Sequence, residues 1–97
     1  MATDGELDGL RAEVDAADAA LMDAMARRLA AVRAIGEWKR HHGVGPVDRA
    51  REGALRSRWA ERAAEAGVPE RMAAAVLGAV LDGCRAEVER VVLSARR

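Results

Sequence analysis

Residues 4–42 read DGELDGLRAEVDAADAALMDAMARRLAAVRAIGEWKRHH. The stretch holds no proline, and only Gly5, Gly9 and Gly36 interrupt its alanine, leucine, arginine and glutamate, a strongly helix-forming composition. Leu7, Leu10, Val14, Ala17, Leu21, Ala24, Arg28, Ala31, Ile35 and Trp38 recur at alternating steps of three and four, the seam of a helix packed along its whole length. Arg28 falls on that seam. At 100° per residue Arg28, Val32, Ile35 and Lys39 also share a stripe, with the two cations roughly 16 Å apart along the axis. Arg11 is about 100° round from Arg28 and roughly 25 Å away, too far for one small ligand to touch both on the same helix.

Working outward, His42, Gly43, Val44, Gly45 and Pro46 end this helix, because glycine terminates helices cheaply and proline cannot continue one. Asp48 is the expected N-cap of a second helix, 48–66, closed by Gly67. Pro69 suits the first turn of a third, 69–95, which carries Met72, Val76, Leu77, Val80, Leu81, Cys84, Val88, Val91 and Val92 at helical spacing. There is no strand pattern and no internal repeat. The sequence predicts an all-α domain of three helices occupying residues 1–97, with helix 4–42 the longest.

That length has an architectural consequence. A helix of about 39 residues is roughly 58 Å long, whereas a compact chain of this size has a diameter around 32 Å. One chain cannot bury such a helix, so an intertwined homodimer is expected, in which long helices pack on each other. The competing arrangement is a monomeric bundle with the first helix kinked, Gly36 being the weakest point.

Composition narrows the function. The chain has 97 residues, 51% of them hydrophobic and 33% charged, which describes a soluble globular domain. Its 16 basic and 16 acidic side chains cancel, which argues against general nucleic-acid or membrane-surface binding. Any cationic site must be local. The single cysteine, Cys84, excludes an intrachain disulfide or a multi-cysteine metal site and suits a reducing cytoplasm. The opening MATDGELDG is acidic where a signal peptide is basic and then apolar, and the longest apolar run, 72–81, is too short to span a bilayer. Arg11, Arg28 and Lys39 beside an apolar seam, followed by Asp48, Arg51 and Glu52 in PVDRARE (46–52), point to a pocket for a small dianion.

The pattern Leu10-Arg11, Asp15, Leu21, Ala26-Arg27-Arg28, Gly36, Lys39, then Asp48 and Arg51-Glu52 resembles the all-helical class of chorismate mutase across essentially the whole chain. The first two helices match best. The resemblance implies a homodimer with two shared active sites, no cofactor and no metal, and a [3,3]-sigmatropic rearrangement of chorismate to prephenate. That reaction is unimolecular and needs no nucleophile, so a protein assists by holding the enolpyruvyl arm over the ring and stabilising developing charge. By the resemblance, Arg28 and the partner subunit's Arg11 clamp the two carboxylates, a task for which the planar guanidinium fork is suited. Lys39 donates to the ether oxygen and is the leading catalytic residue. Glu52 and Asp48 sit near the ring C4 substituent, with Arg51 ordering that end of the site.

Each residue also has a plainer role. Arg11 and Arg51 read as solvated helix charges, Asp48 as an N-cap, and Glu52 as a local ion-pair partner of Arg49 or Arg56. His41 and His42 suit the C-terminal end of the helix dipole, and Trp38 and Trp59 read as packing residues. Helix three departs from the family pattern. Cys84 stands where a serine near a substrate carboxylate is usual, and Val88 where glutamine or glutamate usually serves the ether oxygen. Losing such a donor costs about 2.7 to 4 kcal/mol of transition-state stabilisation. A register slip that brought Glu87 or Glu89 inward would turn Leu77, Val80, Leu81, Cys84 and Val88 away from the core, so the ungapped register is preferred.

Four functions fit the resemblance. The first is chorismate mutase, boosted in some relatives by another enzyme of aromatic biosynthesis. The second is a mutase for 4-amino-4-deoxychorismate, on a branch leading to p-aminophenylalanine and antibiotics, whose C4 ammonium suits Asp48 and Glu52. A pyruvate lyase acting on isochorismate and a non-catalytic helical dimer complete the set.

Overall fold

The computed structural model describes residues 3–46 and 48–94. Three α-helices follow one another, α1 (Thr3–His42), α2 (Arg49–Ala66) and α3 (Glu70–Ser94), in agreement with the helices expected from sequence to within a residue or so at each described end. The expected inclusion of residue 95 in the third helix lies outside the described residues. There is no strand among the described residues, so the fold is all-α. No helix among them is long and apolar enough to cross a membrane. The chain divides into two compact units, Met1–Ala31 and Val32–Arg97.

The described part of the first unit is the N-terminal portion of α1. Asp4 and Glu6 occupy its first turn, where negative charge complements the helix dipole. Every residue from 4 to 27 is exposed, including the apolar seam: Leu10 is 55% exposed, Val14 59% and Leu21 54%. Isolated exposed apolar residues are ordinary, whereas these form a row along several turns of helix.

The second unit contains the end of α1 with α2 and α3. Gly43, in the left-handed region at φ 65°, stops α1, and the Val44 N–H returns to the Lys39 carbonyl at 2.9 Å. Gly67 does the same for α2 at φ 73°, with Val68 N–H donating to the Ala63 carbonyl at 2.9 Å. Both are Schellman-type stops, which satisfy carbonyls the helix leaves open and which glycine adopts without strain. The core consists of Ala63 from α2 and Ala73, Leu77, Leu81, Val88, Val91 and Val92 from α3. Leu77, Leu81, Val88, Val91 and Val92 belong to the apolar stripe expected of the third helix, whereas Met72 and Val76 of that stripe are exposed, at 60% and 37%, and Ala73 is buried in the first turns instead. Gly36 of α1 is buried against α3, and a β-carbon there would lie 3.1 Å from Val91 Cβ and Cγ1 and 3.7 Å from Val88 Cα. The absence of a side chain at Gly36 therefore permits the close approach of α1 and α3. α1 continues as α-helix through this position.

Two ion pairs stitch the helices together at the rim of this core. Arg33 on α1 donates to Glu87 on α3 at 2.8 Å, and Arg85 on α3 donates to Glu52 on α2 at 2.6 Å. Trp59 lines an apolar groove with Ala63, Val68 and Met72. Trp38 is 55% exposed and stacks on His42, with ring centroids 4.0 Å apart. His42 Nδ1 lies 2.7 Å from the Trp38 carbonyl oxygen, at the C-terminal end of α1.

Candidate active site

Lys39 closes α1 and holds the turn that follows. Its backbone carbonyl accepts the Val44 N–H, and its ammonium donates to the Pro46 carbonyl at 3.2 Å from a partly buried position. An ammonium has three donors, so one contact to the turn leaves capacity for a ligand. Lys39 lines a cleft of about 530 Å³ together with Val44, Gly45, Asp48 and Arg49. The chain reversal between α1 and α2 thus brings a cation and a carboxylate to the same opening.

Asp48 is the N-cap of α2. Its extended backbone (φ −128°, ψ 95°) presents Oδ1 to the Arg51 N–H at 3.0 Å, and its carbonyl accepts the Glu52 N–H at 3.2 Å. This satisfies donors that the first helical turn leaves open. Arg51 is exposed. Glu52 lies one turn into α2 and reaches α3, where its Oε1 accepts the Arg85 guanidinium; the side chains are 24% and 34% exposed. The local pairing with Arg49 or Arg56 expected from helix spacing is replaced by this bond between helices.

On α3, Cys84 is half-buried and Val88 is buried at 8% exposure. Val88 lies against Gly36, and Gly36 precedes Lys39 by one turn of α1. Lys39, Asp48, Glu52 and the Cys84–Val88 face of α3 therefore all belong to the second unit. Glu87 is held elsewhere, by Arg33 at 2.8 Å and by Arg90 at 2.6 Å. These guanidinium hydrogen bonds, that of Arg90 first, pull its carboxyl down from 4.5 to about 2.

Arg11 and Arg28 lie in the first unit. The Arg11 side chain is 69% exposed, with Asp8 at 3.9 Å, and Arg28 is half-buried. They are separated by about 25 Å along one helix, so within one chain they do not grip the same small molecule.

Arg85 was not among the residues singled out from sequence, although a signal for it exists. Leu77, Leu81, Arg85 and Val88 follow one another at steps of four, four and three, so a cation interrupts the buried row of α3. A cation there must be paired or reach solvent, the same argument that drew attention to Arg28. Its anion on α2 is visible only in three dimensions. Glu52 raises the Arg85 guanidinium pKa, mainly through the hydrogen bond and then through its charge.

Comparison with known proteins gives the family of the chain. A 4-amino-4-deoxychorismate mutase of Streptomyces pristinaespiralis is 39% identical over 84 residues, which cover 86% of this chain and 65% of that protein. A protein of the same name from Streptomyces venezuelae is 34% identical over 95 residues, covering 97% of this chain and 90% of its own length. The chain thus spans just under two thirds of the first relative and nearly all of the second. No solved structure matches significantly. Residues 10–89, which run from the second residue of the apolar seam to just past Val88, match the family described as chorismate mutase type II, and it is to this family of isomerase-type enzymes that the chain belongs.

Proposed function

We propose that the chain is a homodimeric mutase for 4-amino-4-deoxychorismate. The observation that carries this reading is that relatives at 39% and 34% identity both bear that name. The carboxylates of Asp48 and Glu52 supply the negative charge that a C4 ammonium calls for. In the rearrangement the ether C–O bond at the ring breaks while the enolpyruvyl methylene carbon bonds to the ring, all within one molecule. No proton or group leaves, so the protein's task is positioning and charge stabilisation.

Arg28 of one protomer and Arg11 of the partner subunit grip the two carboxylates. Lys39 donates to the ether oxygen as negative charge grows there, while Arg51 orders the α2 end. Cys84 forms a small wall. Val88, buried and without a donor, leaves Lys39 as the principal hydrogen-bond source at the ether. The exposed seam over residues 4–27 supports the dimer, since a second copy of α1 covers it and delivers Arg11. A cytoplasmic location belongs to the same proposal, on the strength of the lone Cys84.

A second reading, chorismate as substrate, is favoured by one contact. Glu52 Oε1 is already engaged by Arg85 at 2.6 Å, which offsets part of the negative charge offered to C4 and suits a hydroxyl. Incubating the purified protein separately with 4-amino-4-deoxychorismate, chorismate and isochorismate, and identifying each product by mass spectrometry, tests the proposal. The expected result is conversion of the amino substrate to its rearranged isomer with kcat/KM at least about tenfold above that for chorismate, roughly 1.4 kcal/mol of discrimination. Preference for chorismate moves the second reading ahead. Pyruvate release from isochorismate alone indicates a lyase, and inertness towards all three leaves a non-catalytic helical dimer.

A further inference from the structure

We infer that Arg85 is a positioning residue which fixes the Glu52 carboxylate so that its second oxygen, Oε2, receives the C4 substituent of the substrate. The inference rests on the mutase reading above and adds to it a residue on α3. Three observations support it. First, the Arg85 guanidinium is held on two sides, donating to Glu52 Oε1 at 2.6 Å and to Asp82 Oδ1 at 3.4 Å, so it is a fixed anchor rather than a loose surface cation. Second, the pair spans two helices and is partly withdrawn from water, Glu52 at 24% exposure and Arg85 at 34%. In that setting an ion pair restrains a flexible carboxylate more than it does at full exposure. Third, a carboxylate accepts at both oxygens, and the Arg85 bond is made to Oε1, so it does not use the acceptor capacity of Oε2.

Glutamate has three side-chain torsions, and unless something holds its head a ligand must bear the cost of ordering it. Arg85 bears that cost in advance. Asp48, the other carboxylate of the cluster, needs no such anchor because the Arg51 N–H already holds its Oδ1 at 3.0 Å. The two acids at the start of α2 are therefore fixed by different means, one by the helix backbone and one by α3. A contact to the C4 substituent is made alike in the bound substrate and in the transition state, because the bonds that break and form lie elsewhere on the molecule. Its loss falls on KM rather than kcat.

The test is steady-state kinetics with 4-amino-4-deoxychorismate and chorismate on the intact protein and on Arg85→Gln, Arg85→Lys, Glu52→Gln and the double variant Arg85→Gln/Glu52→Gln. Circular dichroism of each confirms that helix content is unchanged. The expected result for Arg85→Gln is a KM raised about tenfold, the scale of one well-placed hydrogen bond, with kcat altered less than about twofold. Arg85→Lys recovers most of the loss, and Arg85→Gln has no further effect once Glu52 is glutamine. A fall in kcat at unchanged KM, or the same KM rise in the Glu52→Gln background, overturns the inference while leaving the mutase reading intact. A wild-type protein that converts neither substrate overturns the mutase reading and the inference with it.

Discussion

Replacing Gly36 by alanine sets two effects of similar size against each other. In a helix interior alanine is favoured over glycine by up to about 1 kcal/mol. Here the added β-carbon lies 3.1 Å from both Val91 Cβ and Cγ1, closer than carbon atoms usually pack, so Val91 must give by a few tenths of an ångström, and overfilling a close-packed site costs about 1–3 kcal/mol. The net expectation runs from neutrality to a loss of about 2 kcal/mol. For a domain of this size each kcal/mol moves Tm by about 4–8 °C. Gly36→Val adds two methyls against the same neighbour and is expected to cost more than Gly36→Ala. Val91→Ala removes one of the two crowding atoms, so in a double-mutant cycle it should recover about 0.5 kcal/mol or more of the Gly36→Ala penalty. Thermal unfolding of wild type and the four variants at one protein concentration, so that any association is held constant, reads these differences. A Gly36→Ala variant that melts at least about 4 °C above wild type, with no coupling to Val91, would show that the propensity gain is unopposed, and would refute the close approach of α1 and α3.

Val88→Gln tests both the register of α3 and the shortage of donors at the ether oxygen. If the amide reaches that oxygen, chorismate turnover rises by up to a few kcal/mol of barrier, while burying it without a partner costs about 1–3 kcal/mol of stability; loss of activity on every substrate without unfolding would mean that Val88 shapes the pocket instead. Arg28→Ala and Lys39→Ala are each expected to lower turnover at least about a hundredfold with helix content preserved, and mixing Arg11→Ala with Arg28→Ala subunits should regenerate one intact site per dimer. No recovered activity in that mixture argues against shared sites, as does a folded monomer in sedimentation at micromolar concentration. The Glu87 carboxyl titrates near 2 rather than 4.5, so its ion pairs contribute stability above pH 4.5 that fades as pH falls towards 2. The melting difference between wild type and Glu87→Gln should narrow over that interval, and a difference that persists undiminished at pH 2 would contradict the assignment.

Helix positions were legible in the chain itself because they follow from local rules. A proline-free run with a seam at steps of three and four, glycines at 43 and 67 where left-handed caps are needed, and Asp48 poised to cap α2 all act within a few residues of one another. That Lys39 and Asp48 line one cleft came from the structure. The buried row of α3 followed from its periodicity, which is why Val88 is found in the core and Glu87 outside it. What periodicity could not supply was pairing between helices. Glu52 had two arginines on its own helix at plausible spacing, yet it bonds to Arg85 on α3, because the approach of α2 to α3 presents that guanidinium at 2.6 Å. Gly36 read as a point of weakness, whereas the fold uses its missing side chain to admit Val91 at 3.1 Å. Sequence by itself determined the helices, their caps and the family pattern, each encoded in residues near one another along the chain. Only tertiary structure decided which face meets which and which charges are paired, since those depend on distances between segments that no local rule specifies.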